Sequence, residues 1–490
     1  MNAPLPRLPY AFARANGVLL GEVSDDSAEV IAREDVNPVA LAEVRRLTAR
    51  PLKITPIGRG AFEARLSEIY SQGESNAAEV AADVGQDIDV SQLMQELPPV
   101  EDLLEAEDDA PIIRMINTLL TQAVRERASD IHIEPYETYS VVRLRRDGVL
   151  VEIARPHRAL HAAMSSRIKI MASLDIAEKR LPQDGRIGVR LAGRQIDVRV
   201  STLPTSHGER IVLRLLDKDA TQFGLNALGM AETTRKTFDS ILSQPHGILL
   251  VTGPTGSGKT TTLYAALRTL DGRTLNIVTV EDPVEYDLAG VGQIQVNARI
   301  DLTFARALRS ILRQDPDVIM IGEIRDLETA QIAVQASLTG HMVLATLHTN
   351  DAPSAVTRLI DMGVEPFLLA STLRGVLAQR LVRRLCPHCR QARPADDADR
   401  QAVGEGCPPT LWHAVGCSAC GQTGYSGRTG VYEMLTVDDS VQRLVHDRAS
   451  ENDLRNVARH SGLRTLREDG MRLLAEGITS AQELLRVTRD

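Results

Sequence analysis

The sequence predicts an α/β protein whose main sheet has a parallel core and carries a phosphate-binding loop. Three observations predict this. Residues 246–264, HGILLVTGPTGSGKTTTLY, set Gly253-x4-Gly258-Lys259-Thr260 between an apolar run and a helical pattern. Four apolar strand-like segments follow one another, GILLV, LNIVTV, DVIMIG and MVLATL, and helical segments separate most of them. Acids then stand where the second and third of these runs end, Glu281 and Glu285 after the one and Glu323 after the other. Ligands of open α/β sheets bind at the carboxyl ends of strands, so these acids fall on the side that the loop occupies.

The loop has a direct physical rationale. Its glycines let the backbone turn tightly, so that several N–H groups aim at one anion. Residues Gly253, Pro254, Thr255, Gly256, Ser257, Gly258, Lys259, Thr260 and Thr261 therefore form the predicted ATP-binding stretch. Lys259 adds positive charge toward the β- and γ-phosphates, the Thr260 hydroxyl suits Mg²⁺, and the helix that follows favours an anion at its N-terminus.

A length of 490 residues suggests about three domains. No apolar run reaches the roughly 20 residues a membrane span needs. The N-terminus lacks a basic segment followed by an apolar core, so the expectation is a cytoplasmic protein that reaches a membrane only through partners. The net charge of −9 is misleading. Residues 71–113 hold twelve acidic residues and no Lys, Arg or His; the remainder carries 56 basic against 53 acidic residues. Such a block reads as a solvated linker, with Val90 to Leu97 as a possible short helix.

Residues 1–70 read as a small α/β domain suited to binding. PYAFARANGVLLGE gives a helix, a turn at Gly17 and a strand; DSAEVIARED gives a second strand. Pro38 opens a helix after Asn37, a good cap. After the linker (71–110), residues 111–229 begin with a helix and continue as strands DIHIEP, SVVRLRRDG, GRIGVRL, RQIDVRVST and ERIVLRLLD. Alternation puts Val, Ile and Leu on one face and Arg143, Arg145, Arg186, Arg190, Arg199, Arg210 and Arg214 largely on the other. Such a face is either solvated or partnered. The loop-bearing core spans 230–383, a cysteine-rich segment 384–425, and a helical region 426–490.

A carboxylate near the γ-phosphate can orient or deprotonate attacking water. Glu323, at the end of an apolar strand, fits a second Mg²⁺-binding element; such elements usually carry Asp, and Glu is compatible with a contact through water. Arg309 and Arg313 share a helical face at i, i+4, as phosphate sensors or as ordinary surface ion pairs. His341 and His348 bracket the last core strand and suggest a sensor of phosphate state. Cys386-x2-Cys389 and Cys417-x2-Cys420 form two knuckles with four thiolates for tetrahedral Zn²⁺. All four positions would be filled, so the metal is structural. His388 and Cys407 are not expected to be ligands.

In series, GPTGSGKTTTLY, VEDPVEY, RQDPDVIMIGEIRD and TGHMVLATLHTND resemble the Walker A, Asp box, Walker B and His box of the secretion ATPases. That family powers type II secretion, type IV pilus assembly and retraction, and type IV secretion, and the resemblance covers nearly the whole chain. It implies a RecA-like core. It also implies Glu285 as catalytic base, Glu281 as its support, Glu323 as the Walker B acid, and His341 and His348 as the His-box pair. The segments DIHIEP, LPQDGR, DVRVSTLPTSHGER and LRLLD resemble the family's PAS-like N2 domain. Its arginines reach the γ-phosphate and link subunits; Arg186, Arg199, Arg210 and Arg214 match those motifs. The tetracysteine element and short N-terminal domain point to the type II secretion branch. That branch implies a homo-hexamer docked through residues 1–70 on the cytoplasmic part of an inner-membrane partner, the L protein. A pilus-assembly ATPase is the nearest alternative. A nucleic-acid translocase is a reading of another class, and the chain lacks the basic excess it would need.

Overall fold

The computed structural model describes residues 110–191, 194–217 and 224–488. In the N-terminal segment it describes 16–23, 27–34, 36, 38–48, 50–58 and 60–62, together with Leu8, Ala13 and Arg65. The acidic block from 71 to 109 and its short helix lie outside the described residues. Two compact units divide the chain, 1–219 and 220–490.

The first unit opens with β1 (Val18–Val23), β2 (Ala28–Arg33), α1 (Pro38–Thr48) and β3 (Leu52–Ile57). The two expected strands pair antiparallel, and β3, which the sequence reading missed, adds parallel to β2. Its Leu-Lys-Ile-Thr-Pro-Ile run is mostly exposed, so it carries little of the apolar alternation that marks a strand. Gly17 takes φ 65°, as its expected turn requires.

The larger part of this unit contains α2 (Ala110–Arg125), β4 (Asp130–Pro135), β5 (Ser140–Arg146), β6 (Val149–Ala154), α3 (Arg158–Met171), β7 (Gln183–Leu191), β8 (Arg194–Thr205) and β9 (Gly208–Asp217). The strands form one antiparallel sheet in the order β6-β5-β4-β9-β8-β7. Alternation decides its two faces. Ile187, Ile196, Val198, Val200, Ile211 and Leu213 join Met115, Ile116, Leu119, Met164 and Ile168 of the helices in one core. Each fully buried aliphatic of this kind contributes about 1.5–3 kcal/mol. On the opposite face, register aligns Arg186, Arg199, Arg214, Asp130 and Arg145 in a row across five strands.

The second unit runs α4 (Glu232–Leu242), β10 (Gly247–Thr252), α5 (Lys259–Thr269), β11 (Ile277–Glu281), β12 (Gly292–Gln295), α6 (Phe304–Ile311), β13 (Val318–Ile321), α7 (Leu327–Leu338) and β14 (Met342–Leu347). It continues with α8 (Ala352–Asp361), α9 (Pro366–Thr372), β15 (Leu373–Leu385), β16 (Gln391–Pro394), α10 (Asp397–Val403), β17 (Thr410–His413), β18 (Tyr425–Thr436), α11 (Asp439–His446), α12 (Glu451–His460), α13 (Leu466–Ala475) and α14 (Ala481–Thr488). Seven strands make the main sheet, in the order β12-β11-β13-β14-β10-β15-β18. Every pairing is parallel except β15 with β18. The four expected strands are its centre. They read as continuous apolar runs because helices cover both faces, and β10, β13 and β14 are buried at every residue.

Against expectation, the region from 426 onward is not helical throughout, because β18 occupies it as far as Thr436. Its Gly-Arg-Thr-Gly start hides the strand, and its order comes from a long antiparallel pairing with β15. Residues 224–229 pack with the second unit: Tyr432 and Arg472 donate to the carbonyls of Leu228 and Gly229 at 2.9 and 2.8 Å.

Candidate active site

The carboxyl ends of β10, β11, β13 and β14 bring the predicted groups to one edge of the sheet. The loop after β10 is built for close approach. Gly253, Gly256 and Gly258 have φ of 147°, 79° and 90°. A Cβ on Gly253 would meet the Gln379 carbonyl at 2.4 Å, and one on Gly258 would meet the Gln379 amide nitrogen at 2.8 Å. Gln379, from β15, is thus the floor of the loop. It donates to the Ser257 carbonyl (2.7 Å) and accepts from the Thr262 hydroxyl on α5 (2.7 Å). Sequence reasoning missed it, because a lone Gln in an arginine-bearing run gives no signal.

Lys259 donates to the carbonyls of Gly253 (2.8 Å) and Pro254 (3.1 Å). Burial lowers its pKa to about 8, against the opposing pull of Glu323. The Ser257 hydroxyl is buried and makes no hydrogen bond. Thr260 is exposed at the first turn of α5. Turned amides, an orphan hydroxyl, a lysine ammonium and an open threonine hydroxyl form a donor set that fits a polyphosphate with its Mg²⁺.

The two Asp-box acids have different surroundings. Glu281 is 3 % exposed. It accepts from the hydroxyls of Tyr264 and Thr279 and from the Gln293 side chain. Glu285 is half-buried, and its backbone N–H donates to the Tyr264 hydroxyl at 3.3 Å. Glu323 sits two residues beyond β13, its side chain 15 % exposed, between Arg325 and His348, whose Nε2 lies 3.5 Å from Oε2. Arg325 was not singled out, although it lies in the stretch RQDPDVIMIGEIRD that resembles Walker B. Burial and the Lys259 ammonium hold His348 below the ordinary imidazole value.

The other predicted residues lie elsewhere. His341 stands at the start of β14, the end away from the loop, where Nδ1 is 2.8 Å from the Ala336 carbonyl near the end of α7. Arg309 pairs with Glu328, and Arg313 donates to the Arg309 carbonyl and Ser310. They line an open cavity of about 390 Å³ on the surface of α6 and α7. In the first unit, Arg214 and Arg145 pair with Asp130, and Arg210 and Arg143 pair with Glu134. Arg186 and Arg190 are exposed.

The sulfurs of Cys386, Cys389, Cys417 and Cys420 lie within 4.8 Å of one another. Cys386–Cys417 and Cys389–Cys420 are 3.9 Å apart, and Cys417–Cys420 3.7 Å. A tetrahedron of Zn–S bonds near 2.3 Å places sulfurs about 3.8 Å apart, so the cage fits zinc, and the separations are far beyond a disulfide bond. N–H groups of Gly416, Cys417 and Gly424 point at these sulfurs. His388 and Cys407 stand outside the cage, as expected.

With this geometry in place, the comparisons decide the family. Residues 105–486 match the model of the type II/IV secretion system protein, and residues 7–70 match the model of an N-terminal domain of GSPII protein E. The chain belongs to the type II secretion system protein E family. Within that family it is 60% identical to type II secretion system protein HxcR of Pseudomonas aeruginosa, over 99% of both chains. It is 52% identical to type II secretion system ATPase E of Vibrio cholerae, over 99% of this chain and 97% of that one. Among solved structures, the pilus retraction motor PilT with bound ADP has a TM-score of 0.53 at 25% identity, covering 76% of this chain and 96% of that one. The Legionella pneumophila ATPase DotB has a TM-score of 0.58 at 22% identity, over 76% and 95%, and supports the RecA-like fold. Among the described residues no helix is long and apolar enough to cross a membrane.

Proposed function

We propose that the chain hydrolyses ATP to drive protein export by a type II secretion system. The observation that carries the reading is the convergence of Lys259, Glu323, Arg325 and His348 at the strand ends beside a loop of the phosphate-binding form. Lys259 and the loop amides of Thr255 to Thr260 hold the phosphates. Thr260 and Glu323 would hold Mg²⁺, which when bound shields phosphate charge and fixes the geometry of the γ-phosphate. Glu285 orients or deprotonates the attacking water, and Glu281, saturated by its three donors, holds the Asp-box backbone. Phosphate is transferred to water in line, with positive groups stabilising charge on the γ-oxygens.

The working form is a homo-hexamer in the cytoplasm, held at the inner membrane through residues 1–70 and the L protein's cytoplasmic domain. The match of residues 7–70 to an N-terminal domain of GSPII protein E supports the type II system over pilus assembly. Structural Zn²⁺ occupies the four cysteines. The test is ATP turnover by the purified chain with and without that cytoplasmic domain. Selective stimulation by the membrane partner is expected, with no stimulation by DNA. Lys259→Ala should abolish turnover at an unchanged melting temperature. Wild-type turnover in that variant would sink the site assignment.

A further inference from the structure

Among the three donors to Glu281, one also touches the second acid of the Asp box. Tyr264 lies on α5, one helical turn beyond Thr260, and is 0 % exposed. A buried phenol is kept where its hydroxyl has partners. This one has three. It donates to Glu281, and it accepts from the Glu285 backbone N–H and from Gln293 Nε2, both at 3.3 Å. One donor and two acceptor sites are the full capacity of a phenol oxygen. The Gln293 amide extends the clamp. Its two N–H groups are shared among the Tyr264 hydroxyl, Glu281 Oε1 (3.1 Å) and the Tyr286 carbonyl (3.2 Å), and its oxygen accepts the Leu288 N–H at 2.6 Å. The Tyr264 ring packs edge-on against Tyr286, with centroids 4.6 Å apart.

We propose that Tyr264 is a positioning residue for hydrolysis, fixing the Glu285 backbone in register with the helix that begins at Lys259 and Thr260. It rests on the reading of Glu285 as the carboxylate that orients water. A single hydroxyl on α5 serves both acids of the Asp box: it donates to the Glu281 carboxylate and receives the Glu285 N–H. Burial and the Glu281 carboxylate both push the phenol's pKa up, so it stays a donor across the working pH range. A small drift of the Glu285 carboxylate costs rate without costing nucleotide contacts, because Lys259 and the loop amides are untouched.

The test is a double-mutant cycle on the full chain, measuring steady-state ATP turnover, affinity for a fluorescent ATP analogue and melting temperature. Tyr264→Phe is expected to lower kcat by about tenfold to a hundredfold, with analogue affinity within about twofold of wild type. In a Glu285→Gln background the same change should lower kcat no further. Unchanged kcat in Tyr264→Phe, or an equal loss in both backgrounds, overturns the proposal. Gln293→Met removes a clamp donor without touching α5. If Tyr264→Phe loses analogue binding, this second variant decides: a kcat-selective loss supports the clamp and wild-type kcat overturns it. Wild-type turnover in Glu285→Gln alone defeats the carboxylate reading instead, whatever Tyr264→Phe does.

Discussion

Lys259, the side chain proposed to meet the phosphates, is poorly solvated. Its ammonium is capped by two loop carbonyls, and burial brings its pKa down to about 8. The sign for ligand binding follows. Below about pH 8 the side chain carries the charge that a triphosphate needs; above it the free protein loses that charge, and binding must include uptake of a proton. Affinity for an ATP analogue is therefore expected to fall between about pH 7 and about pH 9.5. Lys259→Met should bind more weakly at neutral pH and lose most of that pH dependence. An equally steep fall in the Met variant would place the titration elsewhere. The two Asp-box acids make the complementary point. Glu281 has its oxygens filled by protein donors, whereas Glu285 is the half-buried one, so the acid proposed as support and the acid proposed to orient water stand in different surroundings four residues apart.

The elements that sequence made legible are those whose pattern is enforced by burial on both sides. β10, β11, β13 and β14 are buried throughout, and each leads into a loop with a group of recognisable chemistry. β15 and β18 were illegible for the opposite reason. They carry Arg380, Arg383 and Arg428 within strands, and buried Gln379 and Glu433 interrupt the apolar run. Gln379, Tyr264 and Gln293 act through tertiary contacts that no local pattern encodes. The cysteine knuckles were legible from spacing, and their surroundings tie the cluster to the C-terminal helices. Arg390, beside Cys389, stacks on Trp412 (4.5 Å) and donates to the Gly477 carbonyl between α13 and α14. Leu385 donates to the Ile478 carbonyl at 2.7 Å. The cage therefore pins the C-terminal helices to the end of β15. Purified protein should hold about one zinc per chain. Cys417→Ser, or a strong chelator, should release the metal and lower the melting temperature, as spectroscopy of metal content and thermal unfolding would record. Full zinc retention in Cys417→Ser would remove that cysteine from the ligand set.

At the scale of the whole molecule, the arginine-bearing sheet belongs to the first unit and the phosphate loop to the second. A motor of the proposed kind needs some of those arginines for nucleotide and others for the sheet itself, and their pairing within the sheet differs. Arg210 and Arg214 are paired within the sheet, at 2.7 Å from Glu134 and 3.0 Å from Asp130, two carboxylates whose side chains are 6 % and 8 % exposed. Removing Arg210 leaves Glu134 buried with one fewer cation. Glu134 keeps Arg143, so the cost is that of one hydrogen bond, about 1 kcal/mol. Arg186, by contrast, is exposed in the edge strand β7 and forms no ion pair among the described residues. It stands opposite Arg199 in register at the edge of the sheet. If Arg186 is one of the arginines that serve nucleotide in the proposed motor, Arg186→Ala is expected to leave the melting temperature unchanged while kcat falls by about tenfold or more, as loss of a charge-stabilising arginine does in phosphoryl transfer. Arg210→Ala is expected to lower the melting temperature. Paired thermal unfolding and ATP turnover on the two variants read both effects at once. A reversal, with Arg186→Ala unstable and fully active, would return the exposed end of the row to an ordinary solvated face.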